Sequence, residues 1–156
     1  MKVMRFSAIS DNRILICSVL AWAVAQMLKF LVYSVRNKRF DWARLWGDGG
    51  MPSGHSAFVS SLAVATALSF GFDSFQFALA AAFATVVMHD AMNVRLESGK
   101  QAHAINQILE VLKSDSPLHN LARLDSLEFL RELLGHTPLQ VINGSLVGIL
   151  VAVLYM

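Results

Sequence analysis

The residues best suited to chemistry are two histidines, each at the start of an apolar segment. His55 belongs to the run Gly49-Gly50-Met51-Pro52-Ser53-Gly54-His55-Ser56, in which a glycine-rich turn leads directly into such a segment. A helix that starts here has backbone N–H groups without intrahelical acceptors beside an imidazole and two hydroxyls, and helix starts of this kind bind anions. His136 lies in Gly135-His136-Thr137-Pro138, before the last apolar segment. The pattern predicts an anion site, although Ser53 or Ser56 could serve only as a helix N-cap, and a histidine at a helix start could be purely structural.

Charged residues near the ends of other apolar segments are candidates for the same site. Lys29 and Arg36 lie at the end of the first segment, and Asp90 and Arg95 lie at the end of the third. Two histidines and several cations suit phosphoryl transfer. One imidazole attacks phosphorus, the other protonates the leaving oxygen, and the cations stabilise the equatorial oxygens. Neither serine is needed as a nucleophile in this scheme.

A metal site is the alternative use of the histidines. His89, His103 and His119 add potential ligands, but their spacing matches no compact ligand motif, and neighbouring residues such as His89 and Asp90 point about 100° apart on a helix. The single cysteine, Cys17, excludes a disulfide scaffold and a zinc site built from several cysteines. We therefore expect neither a metal nor another cofactor.

The composition indicates a membrane protein. Of the 156 residues, 55% are hydrophobic and only 15% are charged, against about a quarter in ordinary soluble domains. The fifty residues between Arg44 and Arg95 contain no lysine or arginine. Such segregation of charge is typical of membrane segments and excludes a disordered chain. The net charge of +2, without clustering, gives no reason to expect a nucleic-acid partner.

Four apolar segments are predicted to cross the membrane as helices, namely 14–33, 56–72, 75–92 and 139–156. The second and third are rich in alanine and serine and are joined at Asp73-Ser74, which indicates a helical hairpin packed through small residues. Gly144 and Gly148 have GxxxG spacing, which we interpret as a packing face within the chain rather than a dimer contact. The alternatives are the buried helical core of a soluble protein and, for the first segment alone, a signal peptide.

The connection over 95–135 is amphipathic rather than apolar. Its stretches 100–113 and 121–134 each carry an apolar stripe, which predicts surface helices that lie along the membrane or cap the bundle. The expected fold is therefore an all-α integral membrane bundle forming one domain over 1–156. Four spans place both polar connections on one side. That side holds nine lysines and arginines, against three before the first span, so the positive-inside rule assigns it to the cytoplasm.

The motif Pro52-Ser53-Gly54-His55 resembles the central motif of the superfamily of type 2 phosphatidic acid phosphatases and vanadium haloperoxidases. Lys29 and Arg36 have the spacing of its first motif, with asparagine in place of the following proline, although Lys38 or Arg39 could supply the cation instead. His136 is similar to the histidine of the third motif.

Over about residues 14–156, the chain more closely resembles a small, divergent membrane branch related to those enzymes and found in bacteria and plants. The landmarks of this branch appear here as Gly49-Gly50-Met51-Pro52-Ser53-Gly54-His55-Ser56, Asp90 with Arg95, Gly99-Lys100-Gln101-Ala102 leading to Asn106, and Leu134-Gly135-His136-Thr137-Pro138.

The resemblance implies that His136 is the nucleophile that forms a phosphohistidine and that His55 is the general acid. It likewise implies that Lys29, Arg36 and an arginine of the third motif bind the phosphate, together with the turn that contains Ser53 and Gly54.

The third motif departs from the superfamily pattern at two positions. Its arginine falls on Leu130, so Arg131 or Arg95 would be the third cation. Its aspartate falls on Gln140, which can accept a hydrogen bond from the other ring nitrogen but has no charge to stabilise the imidazolium. Asp90 could substitute from the neighbouring helix.

These observations lead us to expect a membrane-embedded phosphatase-like protein. It would hydrolyse a phosphomonoester or pyrophosphate headgroup of a lipid or isoprenoid through a phosphohistidine. The alternative is a catalytically inactive relative that binds anionic lipid headgroups or acts as a membrane assembly subunit. The expected location is the bacterial plasma membrane, with the site facing the cytoplasm. Four spans are fewer than the six usual in the superfamily's membrane members, and a homodimer would make up the difference.

Overall fold

The computed structural model describes residues 9–38, 50–115, 130 and 135–156, and the regular structure within them is helical. The helices are α1 (Arg13–Asn37), α2 (Gly54–Phe70), α3 (Phe75–Met92), α4 (Val94–Asp115) and α5 (Pro138–Tyr155). The expected all-α fold is thus confirmed. The helix predicted over 121–134 lies outside the described residues, apart from Leu130.

Three helical segments are long and apolar enough to cross a membrane: Arg13–Asn37, Phe75–Val111 and Pro138–Tyr155. The second of them runs from α3 into α4. Helix α2 is the short apolar helix of the set, with 17 residues and a length of about 26 Å at 1.5 Å per residue. Four apolar helices therefore form the bundle, as the sequence predicts.

Side-chain caps fix the starts of the apolar helices. The N-cap residues are Asn12, Ser53, Ser74 and Thr137, and each accepts a hydrogen bond from a backbone N–H in the first turn of its helix. At α5 the cap is reciprocal, because the Gln140 side chain accepts from the Thr137 N–H while Thr137 caps the Gln140 N–H. Capping satisfies amides that lack a partner inside the helix.

Helix α2 is the centre of the bundle and contacts α1, α3 and α5. Its most extensive contact is with α5, through the GxxxG face. A Cβ atom added at Gly144 would overlap the Ser53 carbonyl oxygen, and one added at Gly148 would overlap the Ala57 carbonyl oxygen. The two helices therefore approach main chain to main chain, and the interpretation of GxxxG as an internal packing face is confirmed.

The fully buried side chains of the described residues are small, whereas many of the large apolar ones are exposed. The largest fully buried side chains are Cys17, Ser18, Ser53, Ser56 and Ser61. By contrast, Phe75 is 78% exposed and Leu154 is 77% exposed. Lipid tails are as apolar as leucine, so helices in a bilayer associate through close packing of small residues and leave their large side chains to the lipid.

The antiparallel order of the helices gives the bundle two different ends. At one end the start of α1 meets the end of α5, where Arg13 donates a hydrogen bond of 3.3 Å to the Tyr155 carbonyl oxygen. We call the other end the polar end. It consists of the last turns of α1 and α3 and the first turns of α2 and α5, together with the residues that lead into α2 and α5. Two backbone hydrogen bonds connect these parts, from the Ser53 N–H to the Gln140 carbonyl (3.1 Å) and from the His136 N–H to the Ala91 carbonyl (3.0 Å).

The helix boundaries differ from the predicted spans mainly at the polar end. Helix α1 continues to Asn37 and stops where Lys38 adopts a left-handed conformation with φ of 50°, so Arg36 lies on a helix rather than in a loop. Helix α2 begins at Gly54, two residues before the predicted start at 56, because Ser53 is its N-cap. Helix α3 has the predicted bounds. As a result, His55 lies in the first turn of α2.

Candidate functional site

The two histidines expected to act together lie side by side at the polar end. His55 is on the first turn of α2, and His136 immediately precedes the cap of α5. Their ring centroids are 6.2 Å apart, and the ring planes are inclined by 56°. His136 is only 4% exposed, and its N–H bonds to the carbonyl at the end of α3. Two residues 81 positions apart in sequence thus form one imidazole pair.

Gln140 contacts the ring of His136 from the first turn of α5. Its Oε1 atom lies 3.1 Å from His136 Nδ1 and accepts a hydrogen bond of 3.1 Å from the Thr137 N–H. The superfamily pattern has aspartate at this position. Here the ring nitrogen faces a neutral amide oxygen instead of a carboxylate.

Ser53 and Gly54 build the start of α2. Ser53 is fully buried, its N–H bonds to the Gln140 carbonyl, and its Oγ accepts hydrogen bonds from the N–H (3.3 Å) and the hydroxyl (3.0 Å) of Ser56. The Ser53 side chain is therefore an N-cap, which was the alternative interpretation of this residue. Gly54 lies against α1, where an added Cβ would be 3.1 Å from Cδ1 of Trp22. A predicted contact of either residue with phosphate stays a prediction.

Lys29 and Arg36 line one cleft of about 420 Å³ between the end of α1 and the start of α5. The other lining residues are Val32, Tyr33, Asn37, Gly50, Met51 and Gln140. Lys29 is 7% exposed and its stem packs on Gly50, where an added Cβ would lie 3.3 Å from Lys29 Cγ. Gly50 has a φ of +89°, a conformation that side chains rarely adopt. Among the residues that the structure describes, two cations and no carboxylate line the cleft, so this part of the cleft suits an anion.

The cleft and the histidine pair share Gln140. This residue lines the cleft and also holds His136. Gln140 therefore lies between the cleft that contains Lys29 and Arg36 and the ring of His136, the candidate nucleophile. Of the two alternative cations, Lys38 is not among the lining residues of the cleft, and Arg39 lies outside the described residues.

The remaining candidates are placed less directly. Asp90 is half-buried in the last turn of α3, next to Ala91, whose carbonyl accepts the His136 N–H. Arg95 belongs to the first turn of α4. Arg131 lies outside the described residues. Their expected roles, orientation of His136 by Asp90 and phosphate binding by Arg95 or Arg131, stay predictions.

Two features that lead the chain into His136 were not among the predicted site residues. Gly135 packs on the start of α4 so closely that an added Cβ would overlap the main chain of Leu96. The buried Asn106 side chain forms two hydrogen bonds with the Leu130 backbone, of 2.9 Å to its carbonyl and 2.8 Å from its N–H. Both residues are family landmarks. The signal that could have revealed Asn106 is its position four residues after Ala102 and three before Leu109, which places an amide on the apolar stripe of α4.

The side chains of the described ranges include no group of three or more His, Cys, Asp or Glu residues that could hold a metal ion. Lys29 and Arg36 can bind an anion in the cleft, and Gln140, which also lines the cleft, contacts one ring of the neighbouring imidazole pair.

Comparison with known proteins agrees with the landmarks. Residues 10–151 match the family described as the Divergent PAP2 family. Over 140 residues the chain is 37% identical to a protein of Bacillus subtilis (strain 168) named "Uncharacterized membrane protein YuiD". The aligned region covers 87% of this chain and 89% of that relative. No solved structure matches the chain. The resemblance inferred from the motifs is thus confirmed over nearly the whole length, and the chain belongs to the divergent PAP2 family of membrane proteins.

Proposed function

We propose that the protein is a membrane-embedded phosphatase that hydrolyses a phosphomonoester or pyrophosphate headgroup of a lipid or isoprenoid through a phosphohistidine. The observation that carries this proposal is the pairing of His55 and His136 at 6.2 Å, beside a cleft lined by two cations. Family membership alone does not assign an activity, because function depends on the site rather than on the fold.

The spacing of the rings suits transfer of one phosphoryl group. A nucleophile attacks from about 3–3.5 Å, and a general acid reaches the leaving oxygen over a hydrogen bond of about 2.6–3.2 Å. Both requirements are compatible with ring centroids 6.2 Å apart. Gln140, which contacts His136, also lines the cleft that contains Lys29 and Arg36.

The reaction proceeds in two balanced steps. In the first, Nε2 of His136 forms a bond to phosphorus, the bond from phosphorus to the leaving oxygen breaks, and protonated His55 gives its proton to that oxygen. In the second, neutral His55 takes a proton from water, the water oxygen forms a bond to phosphorus, and the N–P bond breaks to release inorganic phosphate. Lys29 and Arg36 stabilise the charge on the phosphoryl oxygens in both steps.

The surroundings of the cleft support a lipid substrate. The cleft lies at the boundary between α1 and α5, and the outer surfaces of both helices carry exposed apolar side chains there, such as Val32 and Leu139. A headgroup in the cleft would leave its hydrocarbon chain beside these side chains. A soluble phosphate ester would gain nothing from them.

Gln140 favours a second candidate, a catalytically inactive relative that binds anionic headgroups or serves as an assembly subunit. An amide has no charge to stabilise the imidazolium that phosphoryl transfer creates. In a serine-protease triad, replacing the corresponding aspartate by asparagine lowers the rate by about 10⁴-fold. The cleft cations would bind a headgroup equally well without turnover.

The decisive experiment is hydrolysis by the purified full-length chain in detergent. We expect release of phosphate from a phosphorylated lipid by the wild type and loss of turnover in His55→Ala and His136→Ala. Reactions quenched in alkaline denaturant, in which the N–P bond is stable, should trap a phosphohistidine in His55→Ala and none in His136→Ala. Turnover that is absent from the wild type, or equal in all three proteins, would exclude the enzyme. Headgroup binding without turnover would select the second candidate.

The same trapping assay tests the residues assigned from the neighbouring helices. If Asp90 orients His136 and Arg95 binds phosphate, then Asp90→Asn and Arg95→Ala lower the yield of phosphohistidine. A yield equal to that of the wild type in both variants would remove them from the site.

A further inference from the structure

Gln140 connects the two segments that carry the histidines. Its main-chain carbonyl accepts the N–H of Ser53, two residues before His55. Its side-chain oxygen contacts the ring of His136 and also accepts the N–H of Thr137. One residue therefore bonds to the N-cap of α2 and to the segment that enters α5.

The bond to Thr137 identifies the Gln140 atom that faces the ring. A backbone N–H can only donate, so the atom that it contacts is the amide oxygen and not the amide nitrogen. An amide oxygen can only accept. His136 Nδ1, which lies 3.1 Å from the same oxygen, must therefore carry a proton.

A proton on Nδ1 determines the chemistry of the other ring nitrogen. In neutral imidazole one nitrogen is a donor and the other has the lone pair, so His136 in this tautomer has its lone pair on Nε2. Nε2 is the atom that would attack phosphorus. Gln140 thus selects the tautomer that a nucleophile requires.

We propose that Gln140 is the positioning residue of the histidine pair. It fixes His136 in the Nδ1–H tautomer through an oxygen that the helix cap holds in place, and it ties that ring to the start of α2. The consequence for catalysis rests on the proposed function, whereas the tautomer does not. During attack His136 keeps its Nδ1 proton and becomes a cationic phosphoimidazolium, which a neutral oxygen stabilises less than a carboxylate does.

The test is the tautomer of His136 in the full-length protein, labelled with ¹⁵N-histidine in detergent micelles. Long-range ¹H–¹⁵N spectra distinguish the two neutral tautomers, and a His136→Gln spectrum assigns the signal. We expect Nδ1–H in the wild type and in Gln140→Glu, which keeps an acceptor. Gln140→Leu has no acceptor, so a signal from the Nε2–H tautomer should appear.

Thr137→Val is the matched control for damage to the helix start. It removes the hydroxyl that caps α5 but leaves the Gln140 amide and the Thr137 N–H in place, so His136 should remain Nδ1–H. An Nε2–H wild type, or an unchanged tautomer in Gln140→Leu, would overturn the proposal. Loss of the Nδ1–H tautomer in Thr137→Val would overturn the assignment to Gln140 itself.

Kinetics separate this proposal from the proposed function. If the wild type turns over a lipid phosphate, Gln140→Glu should raise kcat by about tenfold or more and Gln140→Leu should lower it, with little change in KM. An unchanged kcat in Gln140→Glu would contradict the claim that a carboxylate stabilises the phosphoimidazolium better than the neutral Gln140 oxygen does. A wild type with the expected tautomer and no turnover would reject the phosphatase and leave the positioning role intact.

Discussion

At the scale of single residues, some cations of the polar end line the cleft and others do not. Lys29 and Arg36 line the same cleft, two helical turns apart on α1. Lys38 follows them closely in sequence but is exposed and does not line the cleft. The position of a positive charge within this short segment should therefore decide whether it contributes to anion binding.

Replacement of the cleft cations should weaken anion binding. We expect Lys29→Met and Arg36→Gln each to raise the Kd for inorganic phosphate or a lipid phosphate by about tenfold to a hundredfold, since hydrogen bonds to charged groups contribute about 1.5–3 kcal/mol. Lys38→Gln is the control and should bind as the wild type does. Isothermal titration in detergent measures all three. An equal loss in Lys38→Gln would indicate a general effect of surface charge instead of a site.

The residues of the site could be named from the sequence more readily than their roles. Two histidines beside helix starts and a lysine followed by an arginine have a recognisable pattern, and the structure brings them to one end. The superfamily pattern suggested that Gln140 could accept a hydrogen bond from the ring of His136. The Thr137–Gln140 spacing alone could not show it, because a glutamine three positions after a threonine is equally expected in a helix cap with no ligand nearby. Its contact with His136 joins two side chains four positions apart and depends on the rotamers of both.

At the scale of elements, the junction of α2 and α5 holds the site together. Gly144 packs on the carbonyl of Ser53, just before α2, and Gly148 packs on the carbonyl of Ala57, in the first turn of α2. A change in the spacing of these helices would therefore move His55 relative to His136.

Alanine at these glycines should destabilise the bundle. In an isolated helix Gly→Ala is favourable by about 1 kcal/mol, but here the added methyl group meets main-chain atoms that cannot rotate away. We expect Gly144→Ala and Gly148→Ala to lower the free energy of unfolding by roughly 1–3 kcal/mol, as overpacking typically does. Thermal unfolding in detergent measures the effect.

Leu150→Ala serves as the comparison on the same helix. Leu150 is 59% exposed on the outer surface of α5, so its truncation should change the melting temperature little. Glycine variants that melt at or above the wild-type temperature would contradict the close approach of α2 and α5.

The apolar helices could be predicted because bilayer thickness sets their length and capping residues mark their starts. Their ends were less predictable. The continuation of α1 through Arg36 depends on where Lys38 turns, and no hydropathy pattern records that. The contact of Gly135 with Leu96 could not be predicted either, because these residues are 39 positions apart and their contact depends on the packing of the whole bundle.

At the scale of the molecule, the antiparallel order predicts a single sidedness for every polar motif. The polar end carries the histidines and the cleft, and the turn between α2 and α3 lies at the opposite end. The positive-inside rule predicts, from the excess of lysine and arginine on the polar side, that this side faces the cytoplasm. The homodimer also stays a prediction.

Cysteine labelling tests this orientation. Asp73 and Gln101 are both exposed, the first in the turn between α2 and α3 and the second on α4. We expect a membrane-impermeant maleimide to label Asp73→Cys only in right-side-out vesicles and Gln101→Cys only in inverted vesicles.

The wild type is the negative control and should not be labelled, because its single cysteine, Cys17, is fully buried. Exchange of the two labelling patterns would reverse the orientation. Labelling of both positions from one side would contradict the bundle itself.

The scarcity of large side chains inside the bundle limits how the protein can respond to a ligand. Where helices touch through glycine and serine, there are few rotamers to rearrange, so the gap between the imidazoles cannot adapt to fit molecules of different shape. Discrimination among substrates would then depend on the rim, where Val32, Tyr33 and Met51 border the cleft. Related proteins with different preferences should vary at these three positions while keeping the same helix-to-helix spacing.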